Sequence, residues 1–68
     1  MRQPVEGKEY SVVHVRKGAF IARLIELGEG ADPFDTWELI SGEAKFLTEA
    51  NARPGDRVTI RRSLYKVI

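Results

Sequence analysis

Apolar and polar side chains alternate along most of this chain with a period of two, the pattern of strands that bury one face. Residues 9–16 carry the strand formers Tyr10, Val12, Val13 and Val15 and mark a first strand. Arg16, Lys17 and Gly18 follow. The glycine can take the positive φ that a tight hairpin turn needs, so residues 19–27 are predicted to return as a second strand. In that register Phe20, Ala22 and Leu24 point to one side, and Ile21, Ile25 and Leu27 to the other. Both faces would then need cover. Phe20, Ile21, Leu24 and Ile25 also recur at helical spacing and Gly28 suits the end of a helix, so a helix over 19–27 is the alternative.

Gly28, Gly30 and the Asp32-Pro33 pair make residues 28–34 a loop. Residues 35–40 form a short strand with Trp37 and Leu39 on one face, and Ser41-Gly42 breaks it. Residues 43–50 fit equally a strand with Phe46 and Thr48 inward or a helix capped by Ser41. After a turn over 51–55, residues 56–62 alternate Val58 and Ile60 against Thr59 and Arg61. Residues 64–68 close the chain as a last strand, with a turn at Arg62-Ser63 before it. The sum is a mostly β fold of five or six short strands with at most one short helix. A small SH3-like barrel over 9–68, preceded by an extended lead-in over 1–8, fits best, because closure removes the edges a short sheet cannot protect. The alternative is an α+β fold with helices near 19–27 and 43–52.

The chain has 68 residues and no cysteine, with no repeat or linker to divide it, and reads as one domain. A core this small is marginal without disulfides, so it must be densely packed or completed by a second subunit. The longest apolar run, residues 19–22, is far short of a membrane span or the core of a signal peptide. Together with the absent cysteines this favours a cytoplasmic location.

Charge changes the picture more than composition does. The total is only +1, yet residues 1–23 hold five basic side chains against two acidic, residues 24–50 one against seven, and residues 51–68 five against one. On the strand over 56–62, Arg57 and Arg61 share the outward face about 13 to 14 Å apart, with Thr59 between them. Arg16, Lys17, Arg57, Arg61, Arg62 and Lys66 could each meet a phosphate, and Tyr65 could stack on an exposed base, which gives a nucleic-acid-binding accessory module. A pI near 8.1 is low for such a module, and the basic ends could instead pair with the acidic middle. The rival reading is a protein-interaction or assembly module of the phage or plasmid accessory type. It would bind through the aromatic and acidic stretch over 32–38, with Phe34 and Trp37, or through Ile21 and Ile25 on the second face of residues 19–27. That second face also predicts a weak homodimer. Trp37 could equally be the plug of the core, with Phe34 as its lid and the neighbouring acids solvated.

Enzyme and metal chemistry find little support. Asp32, Asp35 and Glu38 recur every third residue, whereas a calcium loop places its oxygens at alternate positions around a glycine. His14 is the single histidine and lacks thiolate companions for zinc. No nucleophile elbow or phosphate-cradling glycine loop accompanies it. The expectation is therefore a protein with no catalytic residues, no metal and no cofactor.

Overall fold

A computed structural model describes residues 4–42 and 53–68; the strand-or-helix choice over 43–52 lies outside these residues. The described residues form five strands, β1 (Glu9–His14), β2 (Gly18–Glu26), β3 (Phe34–Gly42), β4 (Arg57–Arg61) and β5 (Tyr65–Val67), with a 3-10 turn at Arg62–Leu64 between the last two. All pair antiparallel in one sheet of order β4-β3-β2-β1-β5. Among the described residues there is no α-helix.

Residues 19–27 follow the strand prediction, and the helical alternative is wrong for a clear reason. A helix would gather Phe20 and Ile21 on one stripe. Here Phe20 is 3% exposed and Ile21 40% exposed, opposite fates for neighbours, as a period of two requires. β2 is also central, with ladders to β1 and β3, so its backbone groups find partners on both sides. Gly18 takes φ 88° at the hairpin turn as expected.

The expected break at Ser41-Gly42 does not occur, because β3 runs through Gly42, which pairs with Phe20. A Cβ on Gly42 would stand 2.6 Å from the Cα of Phe20. The glycine permits close approach of two strands rather than ending one. The lead-in is also bound to the sheet: the Gly7 N–H donates to the Leu24 carbonyl at 2.7 Å and the Leu24 N–H to the Lys8 carbonyl at 3.0 Å.

The sheet is curled but not closed. β4 and β5 are its two edges, and in a flat sheet four spacings of about 4.8 Å would hold them roughly 19 Å apart. The three residues of the 3-10 turn reach about 6 Å, so the sheet must bend until its edges meet at that turn. Trp37 of β3 and Tyr65 of β5, three positions apart in the strand order, accordingly meet edge-to-face across the interior at 5.4 Å. No ladder joins β4 to β5, so the barrel expected from sequence is a curled open sheet here. Val12, Phe20, Ala22, Leu24, Trp37, Leu39, Ile60 and Tyr65 fill its concave side.

Candidate functional site

The inward alternation of β3 that buries Trp37 and Leu39 also buries Asp35, which is 0% exposed. A carboxylate without water must find donors, and it finds four. Arg62 donates from Nε to Oδ2 at 2.9 Å and from a terminal nitrogen to Oδ1 at 2.6 Å. The Gly28 N–H donates to Oδ1 at 2.9 Å and the Tyr65 hydroxyl to Oδ2 at 2.5 Å. Arg62 also donates to the Gly28 carbonyl at 3.0 Å. The cluster fastens the loop before β3, β3 itself, the 3-10 turn and β5 at the point where the edges meet.

Burial alone would raise the carboxyl pKa of Asp35, but the bonds from Arg62, Tyr65 and Gly28 and the Arg62 charge outweigh it and hold the group below the usual carboxylate range. Burial, then the bond to Asp35 and its charge, push the Tyr65 phenol upward. The bond to Asp35 raises Arg62 further. With four donors on its two oxygens, Asp35 has little capacity left for an incoming proton or ligand. Its role is to hold the fold together.

This cluster corrects three expectations. Arg62 spends Nε and one terminal nitrogen on Asp35 and the Gly28 carbonyl and keeps 27% of its side chain in water, which leaves less of it for a phosphate than its place in the basic block suggested. Tyr65 is 7% exposed, with its ring against Trp37 and its hydroxyl on Asp35, so it offers no face to a base. The acids over 32–38 are not uniformly solvated, since Asp35 is interior. Trp37, proposed as a partner contact, is 0% exposed and belongs to the core, which was its alternative reading.

The outward face presents different chemistry. Phe34 is 52% exposed, and the Arg61 guanidinium lies 5.1 Å above its ring. Asp32 holds Arg61 from the side at 3.3 Å. The cation is thus placed over the aromatic ring before any partner arrives. Neighbouring Pro33 is buried and its carbonyl accepts the Arg62 N–H at 2.9 Å, which fixes the start of β3.

Further along, the pairings Glu38↔Arg57, Arg23↔Glu38 and Glu9↔Arg23 set four outward side chains in one row across four strands. Arg23 reaches Glu9 at 2.8 Å and Glu38 at 3.5 Å. Of the other proposed residues, Ile21 is exposed in the adjacent row, while Ile25 is half-buried where the β2–β3 register slips between Leu24 and Glu26. Arg16 and Lys66 are exposed and Lys17 half-buried; Lys66 stands opposite Val13 on β1, and Arg16 and Lys17 lie in the turn that follows β1.

His14 is buried, and its Nδ1 accepts the N–H groups of Arg16 at 3.0 Å and Lys17 at 3.2 Å. Burial, then the charges of Lys17 and Arg16, lower its pKa. The histidine braces a turn. Among the described residues no three His, Cys, Asp or Glu side chains converge as a metal site would require. No known protein family, curated protein or solved structure compared with the chain matches it.

Asp35, which sequence reasoning missed as a special residue, left one readable signal. Once Trp37 and Leu39 are assigned to the core face, period two places Asp35 beside them, and a buried aspartate demands a cationic partner.

Proposed function

We propose that this chain is a non-catalytic protein-interaction module, a small curled sheet of SH3-like type that engages a protein partner through its outward face, with Phe34 as anchor and Arg61 as the polar contact beside it. The SH3-like assignment rests on the strand order, the short 3-10 connection between the edge strands and the aromatic interior. The observation that carries the functional reading is Phe34 itself. It is the exposed aromatic among the described residues, it is the first residue of β3 and pairs with Arg61 of β4, and its cation is already in place. Preorganised aromatic and arginine side chains of this kind dominate binding energy at protein interfaces.

The nucleic-acid reading keeps Arg16, Lys17, Arg57, Arg61 and Lys66 but loses Tyr65 and much of Arg62, so it forfeits its stacking residue and weakens one phosphate contact. It retains Arg16 and Lys17 in the β1–β2 turn and Lys66 on β5. One experiment separates the two. Partners are enriched from a cell extract on the immobilised chain, with Phe34→Ala and a Lys17→Gln/Lys66→Gln variant in parallel. A protein retained after nuclease treatment and in about 0.3 M salt, and lost with Phe34→Ala, supports the interaction module. Material that is nucleic acid, released by salt and lost with the lysine variant, supports the other reading, since phosphate contacts weaken steeply as salt rises.

A further inference from the structure

We infer that a second copy of this chain docks on the outward face of β2 and β3, about a two-fold axis that runs parallel to the strands between Arg23 and Glu38. The inference is independent of the Phe34 site. It starts from the charge row described above, which reads Arg57, Glu38, Arg23, Glu9 across β4, β3, β2 and β1. An alternating row with an even number of members reverses every sign when read backwards. Rotation about an axis parallel to the strands through its centre performs that reversal. Glu38 of one copy then faces Arg23 of the other, and Arg23 faces Glu38. A two-fold across the strands would instead set Arg23 against Arg23, a like-charge contact that disfavours this arrangement. Of these two axes through the row, only the one parallel to the strands makes the surface self-complementary.

The next row adds apolar area at the same place. Ile21, 40% exposed, pairs with Ser41 on β3, and the register slips there past Ile40, which is half-buried. The same axis lays Ile21 of each copy over Ile40 and Ser41 of the other. This covers the second apolar face of β2 at Ile21, which is 40% exposed among the described residues. The sheet is convex on this side, so only the central strands touch and the outer members of the row, Arg57 and Glu9, bend away. The contact falls at or below the low end of specific interfaces, about 1,200 Å² in total. The dimer is correspondingly weak, with a dissociation constant of roughly 0.1 to 1 mM.

Charge-swapped variants test the geometry. Arg23→Glu makes both central side chains acidic and Glu38→Lys makes both basic, so each variant alone faces like charge across the axis. Sedimentation equilibrium at concentrations to about 2 mM is expected to show the unmodified chain dimerising and each variant at least about tenfold weaker. An equimolar mixture of the two variants restores both opposite-charge contacts and is expected to associate at least as well as the unmodified chain. Ile21→Ser, which leaves every charge in place, is expected to weaken association as well and serves if a charge variant fails to fold. A monomeric unmodified chain at about 2 mM overturns the inference. So does a mixture that associates no better than its components. Neither result bears on Phe34, whose alanine variant is expected to self-associate normally.

Discussion

Asp35 and Arg62 at the meeting of the sheet edges, and Glu9, Arg23 and Glu38 on the outward face, are both acid–arginine groups, yet they stand in opposite surroundings. The Asp35 carboxylate is 0% exposed, whereas Arg23 and Glu9 keep 44% and 51% of their side chains in water. In water an ion pair exchanges one set of good partners for another and contributes little. In the interior the pair is kept together by what its loss would leave behind, a buried charge with no partner. The difference shows that the side of the sheet to which a charged side chain turns, rather than its place in a charged block, decides whether it holds the fold or is free to meet a partner. Arg61 and Arg62 are the sharpest instance, adjacent in sequence and pointing to opposite sides.

The largest effect should come from breaking the interior group. Asp35→Asn leaves the Arg62 guanidinium only partly neutralised where it retains 27% of its side-chain surface in water. A loss of about 3 kcal/mol in urea unfolding is expected, the low end of the range for a broken buried pair because of that residual hydration. A core this small supplies only about 3 to 5 kcal/mol in all, so the variant should keep at most about 2 kcal/mol and melt at a much lower temperature than the parent. The same group sets the acid limit. The Asp35 pKa is lower in the fold than in the unfolded chain, so its stabilisation is complete above the ordinary carboxylate value of about 4 and is lost as pH falls from there through the folded value. Unfolding measured from pH 6 down to 2 should show this fall, and Asp35→Asn should flatten it.

Much of this fold is legible in the sequence, because alternation is a local signal. Phe20, Ala22 and Leu24 fell on the core face as their spacing required, and so did Trp37, Leu39 and Ile60. What escaped depends on contacts between distant segments. Arg62 reads as one more member of a basic block until Asp35, 27 positions earlier, is known to lie opposite it. Tyr65 reads as an exposed stacking residue until the curl of the sheet brings it to Trp37. Gly42 reads as a breaker because close strand approach is invisible without the register.

Gly28 sharpens the comparison from the backbone side. A Cβ there would stand 2.1 Å from the Phe34 carbonyl oxygen, so Gly28→Ala must push the loop away from β3 and loosen the N–H bond to Asp35. A loss of about 1 to 3 kcal/mol is expected by urea unfolding. An alanine variant as stable as the parent would mean that the loop does not hold Asp35.

A smaller, pH-dependent effect belongs to His14, whose Nδ1 must be unprotonated to accept two N–H groups. Its pKa in the fold lies below the ordinary value of 6.5. Its stabilising effect is therefore complete above pH 6.5 and declines as pH falls from there to the folded value, the unfolded chain taking up its proton first. Melting temperatures at pH 7.5 and 5.5 should differ for the parent and converge for His14→Asn. Equal sensitivity in both would assign the change to another group.

The contrast between the two regions rests on neighbouring arginines, and alanine at each, compared by urea unfolding with Trp37 fluorescence as the probe, tests it most directly. Arg62→Ala should cost about 3 kcal/mol, because it strands a buried carboxylate. Arg61→Ala should cost less than about 1 kcal/mol, because an exposed ion pair and an exposed stacking contact are all it removes. Equal losses at the two positions, or a larger loss at Arg61, would contradict the division between an interior that holds the sheet and an outward face that is free to bind.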